Sequence, residues 1–301
     1  MDLQKDFTEE TFFLGQDHEG SIEATFISCN QNTGNQKSIL YIHGYIDYFF
    51  HPHLAQAFTE AGWDFYALDL RRYGRSLRDY QTPNYCENME EYFEEIDLCI
   101  DKISSKVNLS LLGHSTGGLL ASLYMLKGKH KNRIDQLILN SPFLEMNAPK
   151  ILAKVGYALS KIMVKFSKSS HVNFGVSPIY PESIHKDYKG SWDFNLKWKP
   201  IEGFPVYFSW FKAVYQAQRE VQKGKIHQPV ILMHSDKSFL PKKFTDKVMC
   251  ADIVLNVEDM KRIAPNMSEQ VRLIEIPDGQ HDLFLSQEKP RNLALNQIKS
   301  F

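Results

Sequence analysis

Short apolar runs rich in β-branched residues recur along the chain: "SIEATFIS" (Ser21–Ser28), "SILYIH" (Ser38–His43), "WDFYALDL" (Trp63–Leu70), "VNLSLLG" (Val107–Gly113), "QLILNS" (Gln136–Ser141), "PVILMH" (Pro229–His234) and "VRLIEI" (Val271–Ile276). Their length and near-continuous apolar character predict strands buried on both faces. Between most of them lie segments with helical periodicity, such as His53–Ala61, Glu87–Ser104 and Thr116–Lys127. Strands of this kind alternating with helices predict an α/β fold, a mostly parallel sheet covered by helices on both faces.

The alternation stops after "LNSPF". From Glu145 to His227 no run has the strand pattern, and helical periodicity and aromatics take over, including Trp192, Trp198 and Trp210, three of the chain's four tryptophans. A stretch of this length between two core strands exceeds a simple loop. We therefore expect residues 145–227 to form a helical cap inserted into a core made of residues 1–144 and 228–301. Neither an internal repeat nor a low-complexity tract is visible.

Composition narrows the partners more than the chemistry. A formal net charge of −1 over 301 residues gives no support to a nucleic-acid or polyanion partner. The apolar runs fall short of the roughly 20 residues that span a bilayer. The start, "MDLQKDFTEETFFLGQDHEG", is acidic and lacks the basic end and apolar block of a signal peptide, so a cytoplasmic location is expected. Cys29, Cys86, Cys99 and Cys250 have no metal-ligand spacing and are expected to be free thiols.

Chemistry enters at "LLGHSTGGLL", Leu111–Leu120, between an apolar strand and a periodic helix. Gly113-His114-Ser115-Thr116-Gly117 has the spacing of a nucleophile elbow, a turn so tight that its flanking positions have little room for a β-carbon while the central hydroxyl is thrust outward. The bland alternative is a glycine-bounded turn without chemistry. A serine needs a base to take its proton and donors for the developing oxyanion. The Thr116 amide, at the positive end of the following helix, is one candidate donor. The other is the amide of Tyr45, after His43-Gly44 at the end of an earlier strand; His43 itself is expected to fix that loop by hydrogen bonds. For the base, His281 in "IPDGQHDLFLS" stands after the last core strand, on the same carboxyl-end edge of the sheet as Ser115. His51 and His53 in "FHPH" form no recognised metal-ligand spacing with a cysteine or carboxylate, which speaks against a metal site.

Taken together, "YIHGYIDY", "ALDLRRYGRS" (Ala67–Ser76), "GHSTGG", "LNSPFLEMN" (Leu139–Asn147) and "DGQHD" resemble the α/β-hydrolase superfamily, and within it the lysophospholipase, monoacylglycerol lipase and serine aminopeptidase-like branch. The resemblance covers nearly the whole chain outside residues 145–227. It implies a Ser-His-acid triad, no cofactor, and an acyl-enzyme hydrolysed by water; no metal is expected from the residues themselves. Two carboxylates compete for the acid. Asp236, in "ILMHSDKS", comes almost directly off its strand, where the acid commonly lies in the resembling enzymes. Asp252 carries the pattern that usually follows the acid, with Ile253, Val254, Leu255 and Val257 behind it and Glu258 in the first turn of a helix. Asp252 is preferred, which makes "KSFLPKKFTDKVMC" an insertion that loops out and returns the chain.

Two charged stretches complete the reading. In Lys150–Lys168, Ile151, Val155, Ala158, Leu159, Ile162 and Phe166 share one helical face, and Lys154, Lys161, Lys165 and Lys168 another. A basic amphipathic helix of this kind could make transient contact with a membrane surface or collect an anionic substrate. The preferred arrangement packs its apolar residues over the active site and leaves the lysines in water. The acidic run Glu87–Asp101 is expected to be the solvated face of a core helix.

The function expected is a serine hydrolase of small-molecule or lipid esters with an apolar acyl chain, a carboxylesterase or lysophospholipase-like enzyme. The aromatic-rich cap is the reason for the apolar preference. A peptidase or amidase with the same triad and a non-catalytic ligand-binding relative are the alternatives. The sequence does not indicate an oligomeric state.

Overall fold

Along "SILYI" the side chains divide between two cores. Ile39 and Tyr41 enter one buried cluster and Leu40 and Ile42 another, because successive residues of a strand point to opposite faces. A strand apolar on both faces must lie in the middle of a covered sheet, and it does in the computed structural model, which describes residues 1–167, 170–172 and 177–301. In chain order the strands are β1 (Phe7–Gln16), β2 (Ser21–Cys29), β3 (Lys37–Ile42), β4 (Trp63–Asp69), β5 (Asn108–His114), β6 (Ile134–Asn140), β7 (His171–Val172), β8 (Val206–Tyr207), β9 (Val230–Ser235) and β10 (Val271–Ile276). Eight of them form one sheet in the order β1-β2-β4-β3-β5-β6-β9-β10. From β4 to β10 every neighbouring pair is parallel, with Leu111 of β5 opposite both Leu40 and Leu137. This is the α/β-hydrolase architecture.

The sequence pattern did not mark β1, which pairs antiparallel with β2 at the edge of the sheet. Only Phe7 and Phe12 of this strand are buried. Its exposed Glu9 and Glu10 pair with Arg75 and Lys102, a charged edge that discourages pairing with another chain.

The helices are α1 (Pro52–Glu60), α2 (Phe93–Lys102), α3 (Thr116–Lys127), α4 (Lys150–Phe166), α5 (Ile179–Ile184), α6 (Phe208–Lys223), α7 (Val257–Ile263) and α8 (Glu288–Gln297). One face of the sheet buries residues of α2, α3 and α6, the other residues of α1 and α8. Among the described residues no helix is long and apolar enough to cross a membrane. The four cysteines are free.

Between β6 and β9 the chain forms α4, α5, α6 and the two-residue strands β7 and β8, which pair antiparallel where no strand was expected. Trp210, Val214, Ala217 and Val221 bury α6 in the core cluster that also holds Leu119 and Leu123 of α3. Helix α4 lies outside α6, with Tyr157 stacked on Tyr215 and Gly156 facing Phe211. This overturns the expected orientation of α4. Its only buried residues are Ala153 and Ser160. Ile151, Val155, Leu159, Ile162 and Phe166 are exposed, and so are Lys154, Lys161 and Lys165. Small residues at 153, 156 and 160 form a helical stripe of their own, and a close fit to α6 selects that stripe over the bulkier one. Lys168, the last residue of the expected basic face, lies outside the described residues.

The acidic run is also less solvated than its composition suggests. Glu95 of α2 is fully buried, and Arg71 donates from Nε and Nη2 to its two carboxylate oxygens at 3.0 and 2.6 Å. Burial raises the Glu95 carboxyl and the guanidinium opposes that rise. A buried carboxylate of this kind persists only with a bidentate partner. Its partner stands far back in the chain, which is why the run alone reads as surface.

Candidate active site

Strand β5 runs directly into α3 through Ser115, whose backbone takes φ 52° and ψ −117°. A non-glycine residue with positive φ is strained and needs its surroundings to hold it. Here the Ser115 amide donates to the Asn140 carbonyl at 3.0 Å, and the Ser115 carbonyl accepts from the amides of Phe143 and Gly118 at 2.9 and 3.0 Å. The flanking glycines are a matter of space. A β-carbon on Gly113 would lie 2.5 Å from the Gly117 carbonyl oxygen, and one on Gly117 would collide with the carbonyl oxygens of His43 and Ile42.

Three stretches widely separated in sequence meet at this turn. The Ser115 hydroxyl and His281 Nε2 are 3.0 Å apart, and His281 Nδ1 lies 3.0 Å from Asp252 Oδ2. All three side chains are buried or nearly so. With Asp252 accepting from Nδ1–H, Nε2 is left to accept from the hydroxyl. The other Asp252 oxygen accepts from the amides of Val254 and Leu255 at 2.9 and 2.8 Å. Asp236 is elsewhere: it accepts from the Asp278 amide at 2.9 Å and pairs with Lys237. The chain leaves β9 and returns to Asp252 through a closed base, where the Asp252 amide donates to Lys237 and its carbonyl accepts from Phe239, at 3.0 and 2.9 Å.

The loop after β3 lies against the elbow, with Ser115 Cβ 3.1 Å from where a β-carbon of Gly44 would be. His43 is fully buried, and burial lowers its pKa so that the ring stays neutral. Its Nε2 accepts from the Leu70 amide at 3.0 Å, which leaves Nδ1–H to donate to the Gly44 carbonyl at 2.8 Å. The loop then passes through Ile46 at φ 50°, an uncommon conformation for a β-branched residue. Neither the Tyr45 nor the Thr116 amide donates to another group among the described residues. Tyr45 is anchored from the β6–β9 segment, its ring 4.0 Å from that of Trp210 and its hydroxyl donating to the Pro205 carbonyl at 3.1 Å.

A cavity of about 100 Å³ opens at Ser115 and His281, with Tyr45, Ile46, Tyr180, Ile201 and Val254 among its walls. Asp47 and Lys199 also reach it, as a buried ion pair at 2.7 Å. Burial pushes the Asp47 carboxyl up, but Lys199 together with His51, His114 and His43 holds the carboxyl below its ordinary value.

Behind the histidine lies a second imidazole–carboxylate cluster that sequence reasoning missed. Asp282 accepts from His51 Nε2 at 3.0 Å and from Asn140 Nδ2 at 2.8 Å, and His114 Nε2 lies 3.9 Å away. Burial pushes the Asp282 carboxyl up, but His114, His51 and Asn140 pull it well below the carboxylate range. Asp282 thus ties the ends of β5 and β6 to the loop that carries His281. The available signal was its place directly after His281 in "DGQHD". The same cluster explains "FHPH": His51 binds Asp282, and His53 Nε2 donates to the Phe284 carbonyl at 2.8 Å.

Comparison with known proteins bears on the whole chain. Residues 33–288 match the family described as serine aminopeptidase, S33. Over 157 residues the chain is 31% identical to the phospholipase YtpA of Bacillus subtilis, an alignment that covers 51% of this chain and 59% of that protein. Over 139 residues it is 27% identical to a Schizosaccharomyces pombe protein provisionally named a monoglyceride lipase, covering 45% of this chain and 36% of the relative. The alignments thus span less than two thirds of the length of these curated relatives. Among solved structures, a soluble variant of the Saccharomyces cerevisiae monoglyceride lipase, in complex with a substrate analog, superimposes with a TM-score of 0.73 at 19% identity, covering 100% of this chain and 96% of that one. At that identity the likeness concerns the fold.

Proposed function

The chain belongs to the serine aminopeptidase, S33 family of α/β hydrolases, and on that premise we propose that it is a serine hydrolase of carboxylic esters with an apolar acyl chain. The observation that carries this reading is the hydrogen-bonded series Ser115–His281–Asp252, with 3.0 Å at both steps, opening into a cavity with an apolar wall.

In the proposed reaction the Ser115 hydroxyl attacks the acyl carbonyl carbon while its proton passes to His281 Nε2, and Asp252 stabilises the resulting imidazolium. The Tyr45 and Thr116 amides hold the oxyanion, each worth on the order of 3 kcal/mol by analogy with donors of this type. The tetrahedral intermediate collapses to an acyl-enzyme, and His281 returns the proton to the departing alcohol. Water then attacks the acyl-enzyme with His281 as base, and the carboxylic acid leaves. The S. pombe and B. subtilis relatives, named for lipid esters, favour the same substrate class.

The family description gives a peptidase some weight. Release of an N-terminal residue requires a carboxylate to receive the substrate ammonium. Among the described residues lining the cavity, the only carboxylate is Asp47, and Lys199 already neutralises it. An ester with an apolar acyl chain makes no such demand. The test is labelling with a fluorophosphonate together with hydrolysis of an ester panel, each with the wild type and with Ser115→Ala. Labelling and turnover that both vanish in Ser115→Ala support the reading, and undiminished hydrolysis by that variant overturns it.

A further inference from the structure

Helix α4 carries its large aliphatic side chains on the wrong side for a core helix. Ile151 is 75% exposed, Leu152 62% and Phe166 83%, and Val155, Leu159 and Ile162 continue the stripe between them. The helix meets α6 instead through Ala153, Gly156, Tyr157 and Ser160. Rotating it to bury the aliphatic stripe would break that close fit, so the exposed face is set by how the helix packs. An apolar face of this extent marks a contact surface.

A second exposed apolar group rises from the same edge of the sheet. Strands β6 and β9 are parallel neighbours, so α4, after β6, and the loop before Asp252, after β9, both leave from carboxyl ends. Asn147 Nδ2 donates to the Val254 carbonyl at 2.9 Å and ties the two segments together. In the loop Phe239 and Phe244 pack against Val248 and Ile253, while Leu240 between them is 65% exposed. The aromatic pair holds Leu240 outward.

Charge decides what covers these groups. No acidic residue stands between Glu145 and Glu182, and Lys150, Lys154, Lys161 and Lys165 of α4 are exposed. In the loop Lys242, Lys243 and Lys247 are exposed near Leu240, against one exposed carboxylate, Asp246, so the loop stays net positive. The chain as a whole carries −1, so this face concentrates cations that the rest of the molecule offsets. A second copy docked through α4 would set lysines against lysines. An anionic bilayer supplies both the apolar interior and the counter-charge.

We propose that α4 and the Leu240 loop form a two-part docking surface for an anionic lipid bilayer, aliphatic side chains entering the interface and lysines meeting the headgroups. The mouth of the Ser115 cavity, with Val254 from the loop segment and Tyr180, Lys199 and Ile201 from the β6–β9 segment in its wall, then opens beside the lipid. Docking does not depend on the role of Ser115, so it is measured apart from hydrolysis.

The experiment uses the full chain carrying Ser115→Ala and sediments it with vesicles of phosphatidylcholine alone or of phosphatidylcholine with roughly a third phosphatidylglycerol. We expect partitioning at least about tenfold stronger on the anionic vesicles and weakened by salt. Leu159→Glu with Ile162→Glu in α4 and Leu240→Glu in the loop should each cut partitioning about tenfold, with an unchanged melting temperature. Lys154→Glu with Lys165→Glu should remove the preference for anionic vesicles. Equal binding to both vesicles, or binding to neither, overturns the proposal. So does a dimer in sedimentation that the α4 substitutions dissociate, which would assign the face to a second copy. Leu240→Glu without effect overturns the part given to the loop.

Discussion

A β-carbon on Gly117 would have to occupy space held by the carbonyl oxygen of His43. The first turn of α3 and the loop after β3 therefore touch backbone to backbone, and the two amides proposed for the oxyanion are held in one frame. Gly117→Ala should push that loop away from Ser115. The expected result is a loss of about 10²- to 10³-fold in kcat, the size of one missing oxyanion donor, with a drop in melting temperature too small to unfold the protein at 25 °C. Ester kinetics at saturating substrate, with a thermal melt as control, checks it.

Asp252→Asn should cost on the order of 10⁴ in kcat, because an amide in place of the carboxylate favours the wrong imidazole tautomer. Asp236→Asn should leave kcat nearly unchanged, since Asp236 contacts the Asp278 amide and Lys237 and not His281. Steady-state kinetics of the two variants side by side separates the candidates, and the reverse order would reject the assignment.

The buried Lys199–Asp47 pair makes a stability prediction of its own. Lys199→Met leaves Asp47 in the interior without its counter-charge, at a cost of about 3–5 kcal/mol. Adding Asp47→Asn removes the orphaned charge and should restore much of the loss. Urea unfolding of wild type, single and double variants reads this directly, and a double variant no more stable than the single would contradict it.

Acid should destabilise the fold in a window set by two histidines. Burial pushes His114 and His53 down to about 4, with neighbouring His51 adding to the shift at His53. In the unfolded chain both titrate near 6.5, so as pH falls the unfolded state takes up protons first. Their contribution is complete above about pH 6.5 and is lost progressively down to about pH 4, on the order of 3 kcal/mol for each. Melting temperatures measured across that range should fall. His53→Gln, which keeps a donor for the Phe284 carbonyl without titrating, should flatten the slope.

How far the sequence reaches depends on whether a signal is local. The strands β2 to β6 and β9 were legible because each is a short, largely apolar run, whereas β10, at the sheet edge, was legible from its β-branched residues and buries only Ile276 instead of both faces. Ser115, His281 and Asp252 were legible for a related reason: each stands in a stretch whose own pattern marks it, and the structure brings those three stretches within hydrogen-bonding distance. Strand β1 was not, because an edge strand needs few apolar residues and carries Glu9 and Glu10 outward. Helix α4 offers two stripes, one of small residues and one of large, and only α6 chooses between them. Glu95 reads as surface charge, and Asp282 is not singled out at all, because Arg71, His51 and Asn140 reach them only through the fold.

The closed base beneath Asp252 separates the position of that carboxylate from the length of the chain leading to it. Backbone bonds from Asp252 to the Lys237 carbonyl and from the Phe239 amide to Asp252 fix where Asp252 stands. Lengthening a flexible loop is entropically mild, about 0.6 kcal/mol for each doubling. The tip around Pro241 is thus a place where the chain can gain or lose residues, or accept a grafted peptide, without moving the carboxylate from His281. In evolutionary terms the length of this loop and the chemistry at His281 can be selected separately.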